Sequence, residues 1–186
     1  MVRKIMIIGC GGIGSYLIPL LDKTGLYNIK VYDPDIIEKK NISYQNFYNS
    51  DIDLNKAEVF DKRYESVKGE PYLVLTSKQM KGYDLVVCCA DNIDVRKTLY
   101  LTKGIKWLDL RAQGRAGVLL SYLENPDLFV ELSNGPAGSF SCQGNDWEGK
   151  KESLHFIHVA VAGVGAEWIQ RWFNEEQVFK HKLVNA

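Results

Sequence analysis

Neither sign of charge is in excess in this chain: 23 Lys and Arg stand against 23 Asp and Glu, a formal net charge of zero. Such a balance removes any whole-molecule attraction to nucleic acid or to an anionic membrane surface, so neither is expected as a partner. Long apolar runs are missing too, and nothing approaches the ~18 consecutive apolar residues of a membrane-spanning helix. The four cysteines, Cys10, Cys88, Cys89 and Cys142, lack the paired spacing of a disulfide framework. Residues 1–5 run straight into a strand-like segment without a secretory signal pattern. Together these features predict a reducing, cytoplasmic setting. No repeat or linker interrupts the sequence, and 186 residues suffice for a sizeable core, so residues 1–186 are expected to form one domain.

What is present is an alternation of strand-like and helix-like stretches. Residues 5–8, Ile-Met-Ile-Ile, are a short apolar run ending in glycines, as expected for a strand buried on both faces. Past Gly12, the residues Ile13, Tyr16, Leu17, Leu20 and Leu21 fall at helical spacing up to the stop at Gly25. The pattern then predicts a strand over 28–33, a long loop over 34–50 with one helical turn, a helix over 54–65, and strands over 72–75 and 84–89. Asp91 and Asn92 are candidates to cap a helix running to Lys103, followed by a strand over 105–109. Beyond Gly114 the alternation changes, with Val118, Leu120 and Tyr122 on one side of a hairpin whose expected partner is 128–130. Residues 133–151, rich in glycine, read as a mobile loop, and 153–173 as a long helix with a stripe of Leu154, Ile157, Val161, Val164, Trp168 and Trp172.

This order predicts an α/β fold: a Rossmann-like, mainly parallel sheet with helices on both faces and an antiparallel C-terminal hairpin. Ligands on such sheets bind beyond the carboxyl ends of the strands. The loop at residues 9–15, Asp33, Asp91 and the segment after Asp109 all follow strands and should converge there.

The loop reads Gly9-Cys10-Gly11-Gly12-Ile13-Gly14-Ser15. Glycines at these positions let the backbone turn tightly and approach a phosphate chain, whose charge meets the N–H groups at the helix start. By itself the loop does not choose among NAD, FAD, SAM and ATP, and a glycine turn serving only helix–strand packing is the alternative. Asp33, about twenty residues on, suits ribose hydroxyls; the alternative is that Asp33 and Asp35 cap a proline turn. Asn41 and Gln45 lie in the next loop, Lys56 opens a helix, and Asp91 and Asn92 follow the 84–89 strand with Arg96 one turn later. A lysine and a carboxylate at the phosphate end suit phosphoanhydride chemistry better than hydride transfer, the first neutralising phosphate charge and the second holding Mg²⁺.

In this order, the glycine loop, Asp33-x-Asp35, Asn41-x-x-x-Gln45, Asp51-Ile52 with Lys56-Ala57, and Asp91-Asn92-x-x-x-Arg96 resemble the ThiF/MoeB/ubiquitin-activating family. The resemblance implies a single ThiF-like adenylation domain that binds ATP and Mg²⁺. Gly9, Gly11, Gly12, Gly14, Asp35 and Asn92 would line the nucleotide. Asp33 would bind the ribose, Asn41, Gln45 and Lys56 the phosphates, and Asp91 the Mg²⁺, while Arg96 braces its helix. Family members adenylate the C-terminal carboxylate of a ubiquitin-like protein ending in Gly-Gly and pass the acyl group to a sulfur or nitrogen nucleophile. The implied partner is therefore a ubiquitin-like protein or peptide of that type.

Where the family usually has an arginine before the motif glutamine, this chain has Tyr44. Arg3, Arg111 and Arg115 are candidate substitutes. The Cys-x-x-Cys pairs that hold zinc in many members are missing, so no zinc is expected. These departures keep open a weak or inactive nucleotide-binding scaffold of the same fold; an NAD(P)-dependent oxidoreductase is the other alternative. Cys142 lies where a sulfur-accepting or thioester-forming cysteine would fit, against the reading of a free loop thiol. His155 and His158 share a helix face near it without making a zinc site. Trp168 and Trp172 predict a homodimer contact unless the stripe packs internally.

Overall fold

In the computed structural model the protein is described over residues 2–125, 128–129, 142–143 and 150–186. Strand β1 (Arg3–Ile8) leads through α1 (Gly14–Asp22) to β2 (Tyr27–Tyr32), and α2 (Lys56–Arg63) leads to β3 (Val67–Glu70). After β4 (Leu85–Cys88) come α3 (Ile93–Leu101), β5 (Trp107–Gln113), β6 (Ala116–Ser121), α4 (Ile157–Phe173) and β7 (His181–Asn185). The sheet order is β3-β2-β1-β4-β5-β6-β7. Strands β1 to β5 run parallel, while β6 is antiparallel to both β5 and β7.

The apolar run of β1 divides its side chains between two cores, as a strand's period of two requires. Ile5 and Ile7 join Leu17, Ile18 and Leu21 of α1 and Ile157, Val161, Trp168 and Ile169 of α4. Met6 and Ile8 join Val95 and Leu99 of α3 on the other face. Helices therefore cover both sides of the sheet. Among the described residues no helix is long and apolar enough to cross a membrane.

Three expectations change. The strand predicted over 72–75 lies earlier, at Val67–Glu70, paired with β2 from Ile29↔Val67 to Tyr32↔Glu70. Only Val67 of that edge strand is buried, so main-chain pairing forms it without an apolar run to announce it. Tyr72 and Leu75 instead stay exposed while Val74 enters the α3-side core. The hairpin partner of β6 is also different. The two-residue turn at Gly114 (φ +58°) joins β6 to β5, and β7 covers its other edge. Phe129 packs its ring 4.8 Å from that of Trp107 and 5.0 Å from that of Tyr100; Val130 lies outside the described residues, as does most of the loop expected over 133–151. Finally, the tryptophan stripe is covered within the chain fully at Trp168 and only in part at Trp172. Trp168 is 1% exposed and its indole N–H donates to the Phe179 carbonyl at 2.9 Å, while Trp172 donates to the Tyr122 hydroxyl at 3.2 Å. Of the two tryptophans, Trp172 alone, beside Lys106 and Phe173, remains partly open to solvent.

Candidate functional site

The strand order reverses between β1 and β4, and the residues singled out in the sequence gather at the carboxyl ends around that point. Gly9 leaves β1 at φ +95°, and a side chain there would stand 2.7 Å from the Ala90 nitrogen. A Cβ on Gly14 would overlap the Gly9 carbonyl oxygen. Both glycines are thus required by the tight return of the loop into α1.

Asp33 is 5% exposed and uses both oxygens on the main chain, accepting from the Cys10 N–H at 2.6 Å and the Asp35 N–H at 2.9 Å. Burial raises its pKa, with Lys56 working in the opposite direction. The aspartate therefore ties the glycine loop to the end of β2. Asn55 starts α2 by accepting from the Ala57 and Glu58 N–H groups, and its amide donates to the carbonyls of Asp33 and Asp35. Lys56 is delivered in this way. Its side chain is 8% exposed and its Nζ lies 2.8 Å from Asp35 Oδ2. Burial opposes its charge, but Asp33 and Asp35 more than offset that and raise its pKa, so the ammonium persists at neutral pH.

Asn41 and Gln45 are 3% and 7% exposed. Asn41 Oδ1 accepts from the Glu38 N–H at 2.8 Å, which secures the turn, and Gln45 Oε1 is buried without a partner among the described residues. Gln45 Nε2 would stand 3.9 Å from a Cβ on Gly11. Ser15 closes the loop motif onto this turn, its Oγ accepting from the Asn46 N–H at 3.0 Å. Asn92 Oδ1 accepts from the Asp94 and Val95 N–H groups and so caps α3, leaving Asp91 outside the cap. Cys142 Sγ would lie 2.5 Å from a Cβ on Gly12, so the thiol packs directly on the glycine loop. Burial pushes its pKa up to about 11; Asp91 adds to the shift and Lys56 opposes it. Cys142 thus packs on the glycine loop within electrostatic reach of Asp91 and Lys56.

Tyr44 is buried, and burial raises its pKa, so no positive charge stands there. Of its candidate substitutes, Arg3 donates to the Phe173 carbonyl at 2.6 Å and begins β1. That places it at the wrong end of a strand some 17–20 Å long. Arg111 donates from Nε to Asp109 at 2.8 Å, sharing that carboxylate with Arg96 Nε at 3.2 Å and the Tyr100 hydroxyl. Arg96 thus braces its helix against β5, as expected. Asp109 and Tyr100 escaped the sequence reading, because an aspartate ending an apolar strand signals a ligand and a buried pair alike. Among the described residues no group of three His, Cys, Asp or Glu comes together to hold a metal.

A sequence profile of the ThiF family matches residues 2–159. The chain belongs to the ThiF family. Among its ThiF-type relatives, the Yarrowia lipolytica adenylyltransferase and sulfurtransferase UBA4 is 29% identical over 103 residues, 50% of this chain and 26% of that protein. The Salmonella typhimurium molybdopterin-synthase adenylyltransferase is 24% identical over 147 residues, 70% of this chain and 58% of that protein. The NEDD8-activating enzyme E1 catalytic subunit of Schizosaccharomyces pombe is 32% identical over 53% of this chain and 24% of its own length. The chain therefore spans about a quarter of the eukaryotic relatives it matches. In fold it is similar to E. coli MccB crystallised with MccA, at TM-score 0.74 and 19% identity over 99% of this chain and 60% of that one. MccB crystallised with ATP superposes at TM-score 0.68.

Proposed function

We propose that this domain binds Mg²⁺-ATP and adenylates the C-terminal carboxylate of a ubiquitin-like protein or peptide ending in Gly-Gly, releasing pyrophosphate. The observation that carries the reading is Lys56, a buried ammonium held by Asp35 and facing Asp33 beside the glycine loop. A hydride-transfer site has no need of that charge, and phosphoryl transfer does. The relatives named as adenylyltransferases and NEDD8-activating enzyme support the reaction type and the class of partner.

The residues fit the ligand. Gly9 and Gly14 hold the loop in its tight return, and the space over Gly11 stays open beside the start of α1, whose N–H groups favour anions. Gln45 turns Nε2, the donor end of its amide, toward Gly11, where phosphate oxygens can accept. Asp33 retains a second lone pair on each oxygen for ribose hydroxyls. Lys56, with Asn41 and Gln45, would steady the phosphates, and Asp35 would keep Lys56 oriented. Asp91 would hold Mg²⁺ together with phosphate oxygens, since this ion is commonly bound by one or two carboxylates plus substrate. The ion would neutralise charge on the phosphates. The partner's carboxylate oxygen then attacks the α-phosphorus, the bond to the β-phosphate oxygen breaks, and pyrophosphate leaves. Asn92 contributes through its cap, which fixes the start of α3 beside Asp91. A single-domain unit, a cytoplasmic setting and a two-fold homodimer complete the reading.

Cys142 in this reading closes the glycine loop rather than accepting the acyl group. With a pKa of about 11, on the order of one thiol in a thousand is ionised at pH 8. The test is ATP–pyrophosphate exchange with a Gly-Gly-ended partner. Wild type should exchange, and Cys142→Ala should retain exchange within about threefold, because the adenylation half-reaction uses no thiol. Absence of exchange in wild type with every such partner would favour the inactive scaffold, for which Tyr44 in place of arginine is the specific observation. Exchange lost only in Cys142→Ala would make the packing of the thiol on Gly12 essential to the nucleotide loop.

A further inference from the structure

Resting on the adenylation reading, we propose that His158 is a positioning residue: its ring N–H holds the Tyr44 carbonyl and so sets the Gln45 amide against the glycine loop. His158 is the second residue of α4 and fully buried. Its Nε2 lies 2.7 Å from the Tyr44 carbonyl oxygen. A carbonyl only accepts, so Nε2 carries the proton and the ring is held as one tautomer. Burial lowers the histidine's pKa, which keeps the ring neutral.

The same ring reaches the other half of the site. Its Cδ2 would lie 3.6 Å from a Cβ on Gly12, alongside Cys142 Sγ. It also packs edge-on to the Tyr44 ring at 6.1 Å and against the Tyr16 ring of α1 at 5.7 Å. One side chain therefore touches both the phosphate loop and the turn that carries Gln45.

That turn is pinned from three helices. α4 holds the carbonyl of residue 44 through His158. α1 holds residue 46, with the Asn46 N–H donating to Ser15 Oγ at 3.0 Å and the Asn46 amide to the Ser15 carbonyl at 3.2 Å. α2 contributes Arg63, whose Nη1 donates to the Asn46 carbonyl at 3.4 Å. Between the fixed residues stands Gln45, whose Oε1 finds no partner among the described residues. A histidine serving only the core would stabilise the chain without any bearing on that amide. Here it is bonded to the main chain immediately before it. Fixing the residues that flank a ligand-facing side chain is how a site is preorganised.

The test compares His158→Phe, which keeps the ring and removes the donor, with His158→Gln, whose amide reaches about as far as Nε2 and restores it. Hydrogen exchange should be about tenfold faster over residues 41–47 in H158F, with β1 and the body of α4 unchanged, and close to wild type in H158Q. The KM for Mg²⁺-ATP in pyrophosphate exchange should rise about tenfold in H158F with kcat within about twofold, and return in H158Q. Unchanged exchange over 41–47, or faster exchange spread over the whole chain, overturns the proposal, as does an unaltered KM. Should H158F not fold, His158→Asn, too short to reach the carbonyl, takes its place with the same expectations. If wild type binds no ATP, the adenylation reading fails, and the hydrogen-exchange comparison still decides whether His158 positions the turn.

Discussion

Asp91→Asn should lower ATP–pyrophosphate exchange by about 10²–10³-fold while leaving the melting temperature within about 2 °C of wild type. The rate loss follows from removing the carboxylate proposed to hold Mg²⁺ where charge develops on the phosphates. The unchanged stability follows from the geometry at the start of α3. A residue between a buried strand and a helix would ordinarily be suspected as the cap, and its loss would cost about 1 kcal/mol. Here Asn92 Oδ1 already accepts from the Asp94 and Val95 N–H groups, at 2.9 and 3.2 Å. Exchange and thermal unfolding measured on the same preparation separate the two roles. Retained exchange would remove Asp91 from the site, and a large fall in stability would make it structural.

The largest effect on stability should come from Asp109→Asn. Asp109 is fully buried between Arg96 and Arg111, with the Tyr100 hydroxyl completing its shell. Burial alone would raise its pKa, but the two guanidiniums prevail and lower it. Removing the shared carboxylate leaves buried positive charge poorly balanced, a change that costs about 3–5 kcal/mol. For a chain of this size that is a fall of roughly 10 °C in melting temperature. The sign with pH follows from the lowered pKa. The folded state binds this proton more weakly than the unfolded state, so the contribution is complete above the unfolded value of about 3.9 and is lost as pH falls through the folded one. Wild type and Asp109→Asn should therefore differ by a constant amount from pH 6 to 8 and converge in acid. A gap that instead grows between pH 6 and 8 would assign the effect to another group.

Much of this architecture was legible in the sequence because it rests on local patterns. The apolar run of β1, the glycines that follow it and the helical spacing of Leu17 and Leu21 are each fixed within a few residues, and their combination implies the parallel sheet. The motif residues also assemble at one end of that sheet, since strand ends put them there. What escaped was non-local. β3 forms by main-chain pairing with β2 although only Val67 is buried, so its position leaves no hydrophobic signature. β7 pairs with β6 across more than sixty residues of sequence, and an alternating stretch names no partner. The bond from His158 to Tyr44 joins segments 114 residues apart through one pair of atoms, and the carboxylate of Asp109 gathers Arg96, Tyr100 and Arg111 from two neighbouring elements whose packing no local pattern announces. A histidine within an apolar helix face carries no mark of what it will touch.

The site itself was read from spacing and resemblance, and its physical content came with the side-chain geometry. Lys56 illustrates the gain. In the sequence it is a lysine opening a helix; in the fold it is a buried ammonium with a raised pKa, delivered by the Asn55 cap and held by Asp35. The claim that this charge serves phosphates is most directly tested by titrating wild type and Lys56→Met with Mg²⁺-ATP and with NAD, following binding calorimetrically. The account predicts saturable Mg²⁺-ATP binding to wild type, weaker by about a hundredfold or more in Lys56→Met, and little or no binding of NAD. Tighter binding of NAD than of Mg²⁺-ATP, or Mg²⁺-ATP binding indifferent to Lys56, would contradict it.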